Sequence, residues 1–326
     1  MYARSFLRRC AVALSWVIAA TAVPALAQTQ TYPSKPIQLV VAFAPGGAGD
    51  TVARLVARKM SASLGQAVVI ENRPVPVAAV SLVKNARPDG HTLLMAGSGT
   101  ALTSALFGKL PYDLMGDFIH VSTLASFDLV LITGEQSGLK NVAEVIAYAK
   151  ANPGKLTIGS ARVGSTQNLA AELFKSMAGI DALIVPYKAS GDLLNALHGK
   201  DVQVAMEMLP PVLGQIKGQG IHALAVTAPR RFPGLPEVPT LAESSLPGYE
   251  ASSWNGITVP AGTPPAVVAR LAREIRMAVE SPDVQAELLT LGYTAQASTP
   301  AQMAQRMQAD IVKWRAVIDK AGIPRQ

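Results

Sequence analysis

Cysteine is almost absent from this chain: among 326 residues there is one, Cys10. Neither a disulfide framework nor a thiolate metal site can be built from it. Aromatic residues make up 5% of the chain, too few for base-stacking platforms. Charged residues are sparse at 16% against 49% hydrophobic, a balance that excludes a disordered chain. Beyond residue 27 no apolar run reaches the length of a helical membrane span. Histidine is also scarce. His91, His120, His198 and His222 are far apart, show no i, i+4 pairing, and read as surface or loop residues. No catalytic set, metal site or cofactor is expected from these side chains.

The first segment stands apart from the rest. Arg4, Arg8 and Arg9 precede an apolar stretch, Cys10–Val23, and Ala25-Leu26-Ala27 has the form of a cleavage site. Residues 1–27 therefore read as a signal peptide, and the mature chain is expected in the periplasm. Removing three arginines lowers the formal net charge from +7 to +4, and the remaining Lys and Arg are scattered. No basic footprint for nucleic acid is left.

After residue 27 the pattern alternates short apolar β-branched runs with helical spacing. Strands are predicted over 37–43, 67–71 and 92–96, with helices over 50–64 and 77–86 between them. A second set follows: helices over 142–151, 165–178 and 192–197, and strands over 155–159, 182–186, 202–206 and 221–227. Residues 229–239 are a Pro-rich loop, and the tail, 264–321, reads as two long helices. This is an α/β chain of two lobes, each a mostly parallel sheet flanked by helices. Extended segments near 121–133 and 252–260 are the natural hinges. Lobe one is then 28–126 with 252–326, and lobe two is 127–251. Ligands of such sheets bind beyond the carboxyl ends of the strands, which places a site in the cleft.

Enzyme motifs fail. Gly46-Gly47-Ala48-Gly49 opens a helix but lacks both the Lys-Ser/Thr of a phosphate loop and the third glycine of a dinucleotide fingerprint. Gly97-Ser98-Gly99 is not a nucleophile elbow. What survives is a backbone chemistry shared by three strand-to-helix turns: 44–51, 160–166 and 187–192. Each puts Gly, Ser or Thr at a helix start, where unpaired N–H groups and the helix dipole favour an anion. Capping by Asp50, Ser165 and Asp192 is the plain alternative for each turn.

The order of motifs resembles a known family. Tyr32-Pro33-Ser34-Lys35-Pro36-Ile37, Val69-Ile70-Glu71-Asn72-Arg73-Pro74, Pro88-Asp89-Gly90-His91-Thr92-Leu93-Leu94, Val185-Pro186-Tyr187-Lys188 and Val259-Pro260-Ala261-Gly262-Thr263-Pro264 occur in sequence. Together they are similar to the substrate-binding proteins of tripartite tricarboxylate transporters, the Bug-type solute receptors. The resemblance implies a Venus-flytrap fold, a monomer, and a small carboxylate-bearing ligand passed to the membrane subunits of such a transporter. A sensor kinase is the other partner it allows, and an exported α/β hydrolase built on Ser98 or Ser165 with His91 is the competing activity. Carried onto this chain, the first-lobe contacts are Pro45, Gly46 and Gly47, with Ser98 and Thr100. The second-lobe contacts are Ser160, Gly164, Ser165, Thr166, Lys188 and Ala189. Two departures stand out. Val75-Pro76-Val77-Ala78-Ala79 replaces a glycine-rich stretch, which implies a bulkier, drier wall. Glu207-Met208 stands where the family often has Asp-Asn, so Glu207 either repels an anionic ligand, binds an amino group, or faces solvent.

Overall fold

The computed structural model describes residues 32–43 and 45–326; the expected signal segment, 1–27, lies outside them. The fold below is that of the compact unit Lys35–Gln326. Its elements run β1 (Ile37–Val41), α1 (Ala48–Leu64), β2 (Val68–Asn72), α2 (Pro76–Lys84), β3 (Thr92–Gly97), α3 (Ser98–Leu106) and β4 (Phe118–Gly134). Next come α4 (Val142–Ala151), β5 (Leu156–Ala161), α5 (Thr166–Ala178), β6 (Ala182–Tyr187), α6 (Ser190–His198), β7 (Val204–Met208), α7 (Leu209–Lys217), β8 (Ile221–Val226) and α8 (Leu241–Ser244). The chain closes with β9 (Ser252–Pro260), α9 (Pro265–Val279), α10 (Pro282–Thr290), β10 (Thr294–Ala295) and α11 (Pro300–Lys320).

The α/β alternation makes two sheets joined by one long strand. In the first, β2, β1 and β3 are parallel, and β9 joins β3 antiparallel. In the second, β6, β5 and β7 are parallel. β4 belongs to both: its first part pairs with β9 from Phe118↔Pro260 to Asp128↔Ser252, and its end pairs with β7 from Leu129↔Met208 to Thr133↔Val204. β8 lies antiparallel on that same end of β4. The fold is a two-lobed α/β architecture, each lobe a set of parallel strands with helices on its faces.

Apolar periodicity explains the layers. In α1 the buried residues Val52, Leu55, Val56, Met60 and Leu64 recur at helical spacing. One face of the first sheet packs Val40, Leu94 and Trp254 against Val80 and Val83 of α2 and against Met303, Met307 and Ile311 of α11. One face of the second packs Leu129, Leu131, Ile158 and Met206 against Leu169 and Phe174 of α5. That same cluster takes in Leu102, Ala105 and Leu106 of α3 and Trp314 and Ile318 of α11. α11 thus serves both cores. The other face of the second sheet is covered by Leu193 and Leu197 of α6, Val212 and Leu213 of α7, and Phe232, Leu235 and Val238 from the Pro-rich loop.

The segments entering and leaving the second sheet are tied together by a buried threonine. Thr227 Oγ1 donates to the Ala251 carbonyl at 2.7 Å and accepts from Leu129 N at 2.9 Å. Its own N–H donates to the Leu129 carbonyl at 3.0 Å, and its carbonyl accepts from Ala251 N at 3.0 Å. One side chain therefore holds the β4 crossing and the approach to β9 side by side.

Some elements depart from the sequence expectation. α3 begins Ser-Gly-Thr and is absent from the predicted elements, and its apolar face is buried between the two cores. α7 begins Leu-Pro-Pro; prolines are tolerated there because the first helical N–H groups have no intrahelical acceptor to lose. The tail holds three helices rather than two. Pro282, which lacks an N–H and disfavours helix in the residue before it, separates α9 from α10. His120 is not a surface residue. It lies buried within β4, with Nδ1 3.0 Å from Thr258 Oγ1 on β9, and burial holds its pKa below the ordinary value.

Candidate functional site

The register of β4 brings the two sets of strand ends together. At the carboxyl end of β3, Gly97 pairs with Asn255, which pairs with Ala125. At the carboxyl end of β7, Met208 pairs with Leu129. Both sets of carboxyl ends therefore converge on the stretch of β4 between Ala125 and Leu129. The helices that follow those strands begin there too, with their N–H groups leading.

On the first sheet, the turn between β1 and α1 is braced from within. Asp50 is 2% exposed and accepts from Gly46 N at 2.9 Å, Arg54 Nε at 2.8 Å and Asn72 Nδ2 at 2.9 Å. Asn72 also donates to the Phe43 carbonyl at 3.1 Å. Burial pushes the Asp50 carboxyl up, but the donors from Arg54, Asn72 and Gly46 outweigh it and hold the group below its ordinary range. Gly46 has φ +78°, a conformation glycine adopts without strain, and it is exposed beside exposed Pro45. Gly47 is the N-cap of α1, and no side chain caps that helix. The Gly46 amide thus belongs to Asp50, and the open donors are those of the first turn of α1.

Next to this turn stands an aromatic pair that the sequence did not reveal. Phe127, on the β4 crossing, meets Tyr293 edge-to-face at 5.4 Å, and Tyr293 Oη donates to the Ala48 carbonyl at 3.3 Å. Val75, in the altered segment before α2, is 61% exposed.

Ser98 and Thr100 are both buried, and their hydroxyls are held internally. Ser98 Oγ accepts from Trp254 N at 3.1 Å. Thr100 Oγ1 accepts from Gly97 N at 2.9 Å and donates to the Gly97 carbonyl at 2.7 Å. Gly97 permits this close approach: a Cβ there would lie 2.1 Å from the Trp254 carbonyl oxygen. Trp254 itself is buried, donates from Nε1 to Asp310 at 2.7 Å, and lies under the Arg306 guanidinium. It packs the β9 strand against α11.

On the second sheet, Ser160 is fully buried and donates to the Ala161 carbonyl at 3.0 Å. Ser165 caps α5 by accepting from Asn168 N at 3.1 Å, and Asn168 Oδ1 in turn accepts from Gly164 N at 3.0 Å. Thr166 is buried in the first turn. Lys188 and Ala189 are exposed at the end of β6, and α6, whose N-cap is Ala189, has no side-chain cap. Glu207 does not face solvent: it is 2% exposed, and its Oε1 accepts from Gln167 Nε2 at 2.8 Å and from Met208 N at 2.7 Å.

Of the sequence-predicted contacts, Gly47, Lys188 and Ala189 lie beside helix starts that no side chain caps. Gly46, Gly164 and Ser165 are engaged with their own turns, and Ser98, Thr100 and Ser160 are buried with their hydroxyls in internal hydrogen bonds. The hydroxyls of Ser98 and Ser165 are both held in backbone bonds. Asp50 was named only as a cap; Asn72 and Gln167 were missed because their partners are set by the fold, and Asn168 although its partners, Gly164 and Ser165, are local. Two hollows lie elsewhere. One of about 450 Å³ is lined by Gly134, Ser137, Tyr148, His198 and Gln203, and one of about 420 Å³ lies between α5 and α11. Neither is lined by the carboxyl end of a parallel strand, so the convergence on β4 is the stronger candidate. No group of three or more metal-ligating side chains is present among the described residues, and none of their helices is long and apolar enough to cross a membrane.

Comparison with known proteins agrees with this architecture. The tripartite tricarboxylate transporter family receptor matches residues 52–323. The chain is 34% identical to the protein BugT of Bordetella pertussis over 94% of this chain and 95% of that one. Among solved structures, it is similar to a Rhodopseudomonas palustris protein with adipate, at 33% identity and a TM-score of 0.78, over 90% of this chain and 99% of that one. It is also similar to MatC from Rhodopseudomonas palustris with bound malate, at 32% identity and a TM-score of 0.73, over 88% of this chain and all of that one. The chain belongs to the family of tripartite tricarboxylate transporter receptors, and its fold is that of the periplasmic binding proteins.

Proposed function

We propose that this receptor binds a small carboxylate-bearing ligand between its lobes, where the carboxyl ends of both parallel strand sets converge on β4. α7 also starts without a side-chain cap, but its Pro210 and Pro211 have no N–H groups to offer; the observation that carries this reading is the start of α1 after Gly47 and of α6 after Ala189, which no side chain caps. Each offers backbone donors and the positive end of a helix dipole to an anion. Adipate and malate in the two Rhodopseudomonas palustris structures are ligands of this chemical kind.

In this reading the ligand carboxylate is met by the α1 turn at Pro45–Gly47 on lobe one, 28–126 with 252–326. Lys188 and Ala189, with the 160–166 turn, close on it from lobe two, 127–251. The segments near 121–133 and 252–260 are the hinges. The chain acts as a monomer, exported by removal of 1–27, and its closed form is read by the membrane subunits of a tripartite transporter.

Thermal unfolding of the purified protein against a panel of carboxylates, amino acids and neutral controls tests this. A ligand at about a hundred times its Kd adds about 2.7 kcal/mol, an upward shift in Tm of several degrees. A panel in which no carboxylate shifts the transition overturns the reading.

A further inference from the structure

A receptor for a simple anion has little use for a buried carboxylate at its binding edge, yet Glu207 stands there. It sits next to the end of β7, paired with Val130, beside the Leu129↔Met208 pair at which β4 meets the strand ends. The side chain is 2% exposed. Both donors to its Oε1, Gln167 Nε2 and Met208 N, are neutral, and Oε2 accepts no hydrogen bond from the described residues. No Lys, Arg or His among them lies within ion-pair distance.

Burying a carboxylate without a cation is costly, and a fold meets that cost only in part with two neutral donors on one oxygen. Gln167 belongs to the first turn of α5, which opens at the same edge, so its amide holds the Glu207 carboxylate at that edge. A second anionic group placed there would meet a like charge. A protonated amine would supply the missing cation and a charge-assisted hydrogen bond.

We propose that Glu207 is a specificity residue for an ammonium group on the ligand, with Gln167 as its positioning residue. The preferred ligand class is then carboxylates that also carry a protonated amine: the carboxylate on the uncapped helix starts, the ammonium on Glu207. This rests on the carboxylate-receptor reading and narrows it.

Calorimetric titration of the purified protein with matched pairs of acids decides it: succinate and aspartate, glutarate and glutamate, adipate and 2-aminoadipate. The wild type is expected to bind the aminated member of at least one pair about tenfold tighter or more. Glu207→Gln keeps an acceptor for Gln167 and Met208 and is expected to abolish that preference while leaving the plain diacid bound as well or better. Three outcomes overturn the inference: a wild-type preference for the plain diacid, binding confined to carboxylates outside these pairs, or a Glu207→Gln variant that weakens both members alike. The last would make Glu207 a structural acid or the counterion of a cation such as Lys188. The wild-type preference remains a readout even if the variant does not fold. Failure of every carboxylate, aminated or not, would instead sink the receptor reading itself.

Discussion

The starts of α1 and α5 are built on one plan and differ at two positions, the N-cap and the brace. In each, the amide before the N-cap donates to the side chain of the third helical residue: Gly46 to Asp50 in lobe one, Gly164 to Asn168 in lobe two. The N-caps differ. Ser165 uses its hydroxyl to satisfy the Asn168 amide, whereas Gly47 has no side chain to offer, and α1 keeps its first-turn donors open. The braces differ too, since Asp50 is charged and paired with Arg54 while Asn168 is neutral. A helix start that satisfies its own donors stabilises a fold, and one that leaves them open can receive a ligand. Glycine before a helix and serine before a helix are thus opposite signals, though both read as small residues in a turn.

The sharpest way to break this contrast is to remove the charged brace. Asp50→Ala strands the donors of Gly46 and Asn72 and leaves Arg54 unpaired. It is expected to lower stability by about 2–4 kcal/mol and to weaken ligand binding with it. Urea unfolding reads the first effect and titration the second. An undisturbed Asp50→Ala protein would mean that the α1 turn does not depend on its brace.

The crossing strand shared by the two lobes gives the next effect. Asp128 is 8% exposed, and burial pushes its carboxyl up to about 7 from an ordinary 3.8. The folded state keeps this proton where the unfolded chain has lost it. Stability therefore falls as pH rises from about 4 to about 7, and the loss is complete above that. Asp128→Asn is expected to flatten this slope and to gain roughly 1–3 kcal/mol above neutral pH, measured by urea unfolding across the range. An unchanged slope would assign it to other groups.

The smallest effects come from exchanging the caps. Gly47 has φ −72° and ψ 166°, which any residue adopts. Gly47→Asp gives α1 an internal cap, with an expected gain of roughly 0.5–1 kcal/mol and at least about a tenfold loss of ligand affinity. Ser165→Ala is expected to cost about 1 kcal/mol with little change in affinity. If Ser165→Ala instead lost affinity and Gly47→Asp did not, the roles of the two turns would be reversed.

Much of this architecture is legible in the sequence because it is local. Residues 142–151 were predicted as a helix and 252–260 as an extended segment, and the structure places a helix and a strand there. The helix starts were marked by Gly46-Gly47 and by Ser165. Helices beginning Ser-Gly-Thr or Leu-Pro-Pro were not, because burial between cores overrides a weak local preference. Within the site, the sequence shows which amides could be offered but not which are already taken. Asn72 reaches Asp50 across 22 positions and Gln167 reaches Glu207 across 40. Only the assembled sheets make those pairs neighbours.

α11 carries a mechanical consequence. Met307 and Ile311 are fixed in one core and Trp314 and Ile318 in the other, so a single turn of helix separates two anchorages. The last helix therefore works as a tie rod across the molecule. A change in the angle between the sheets must be absorbed by twisting or repacking at that turn, where Trp254 Nε1 bonds Asp310. Any wider opening is resisted by the apolar surface it would pull from either socket.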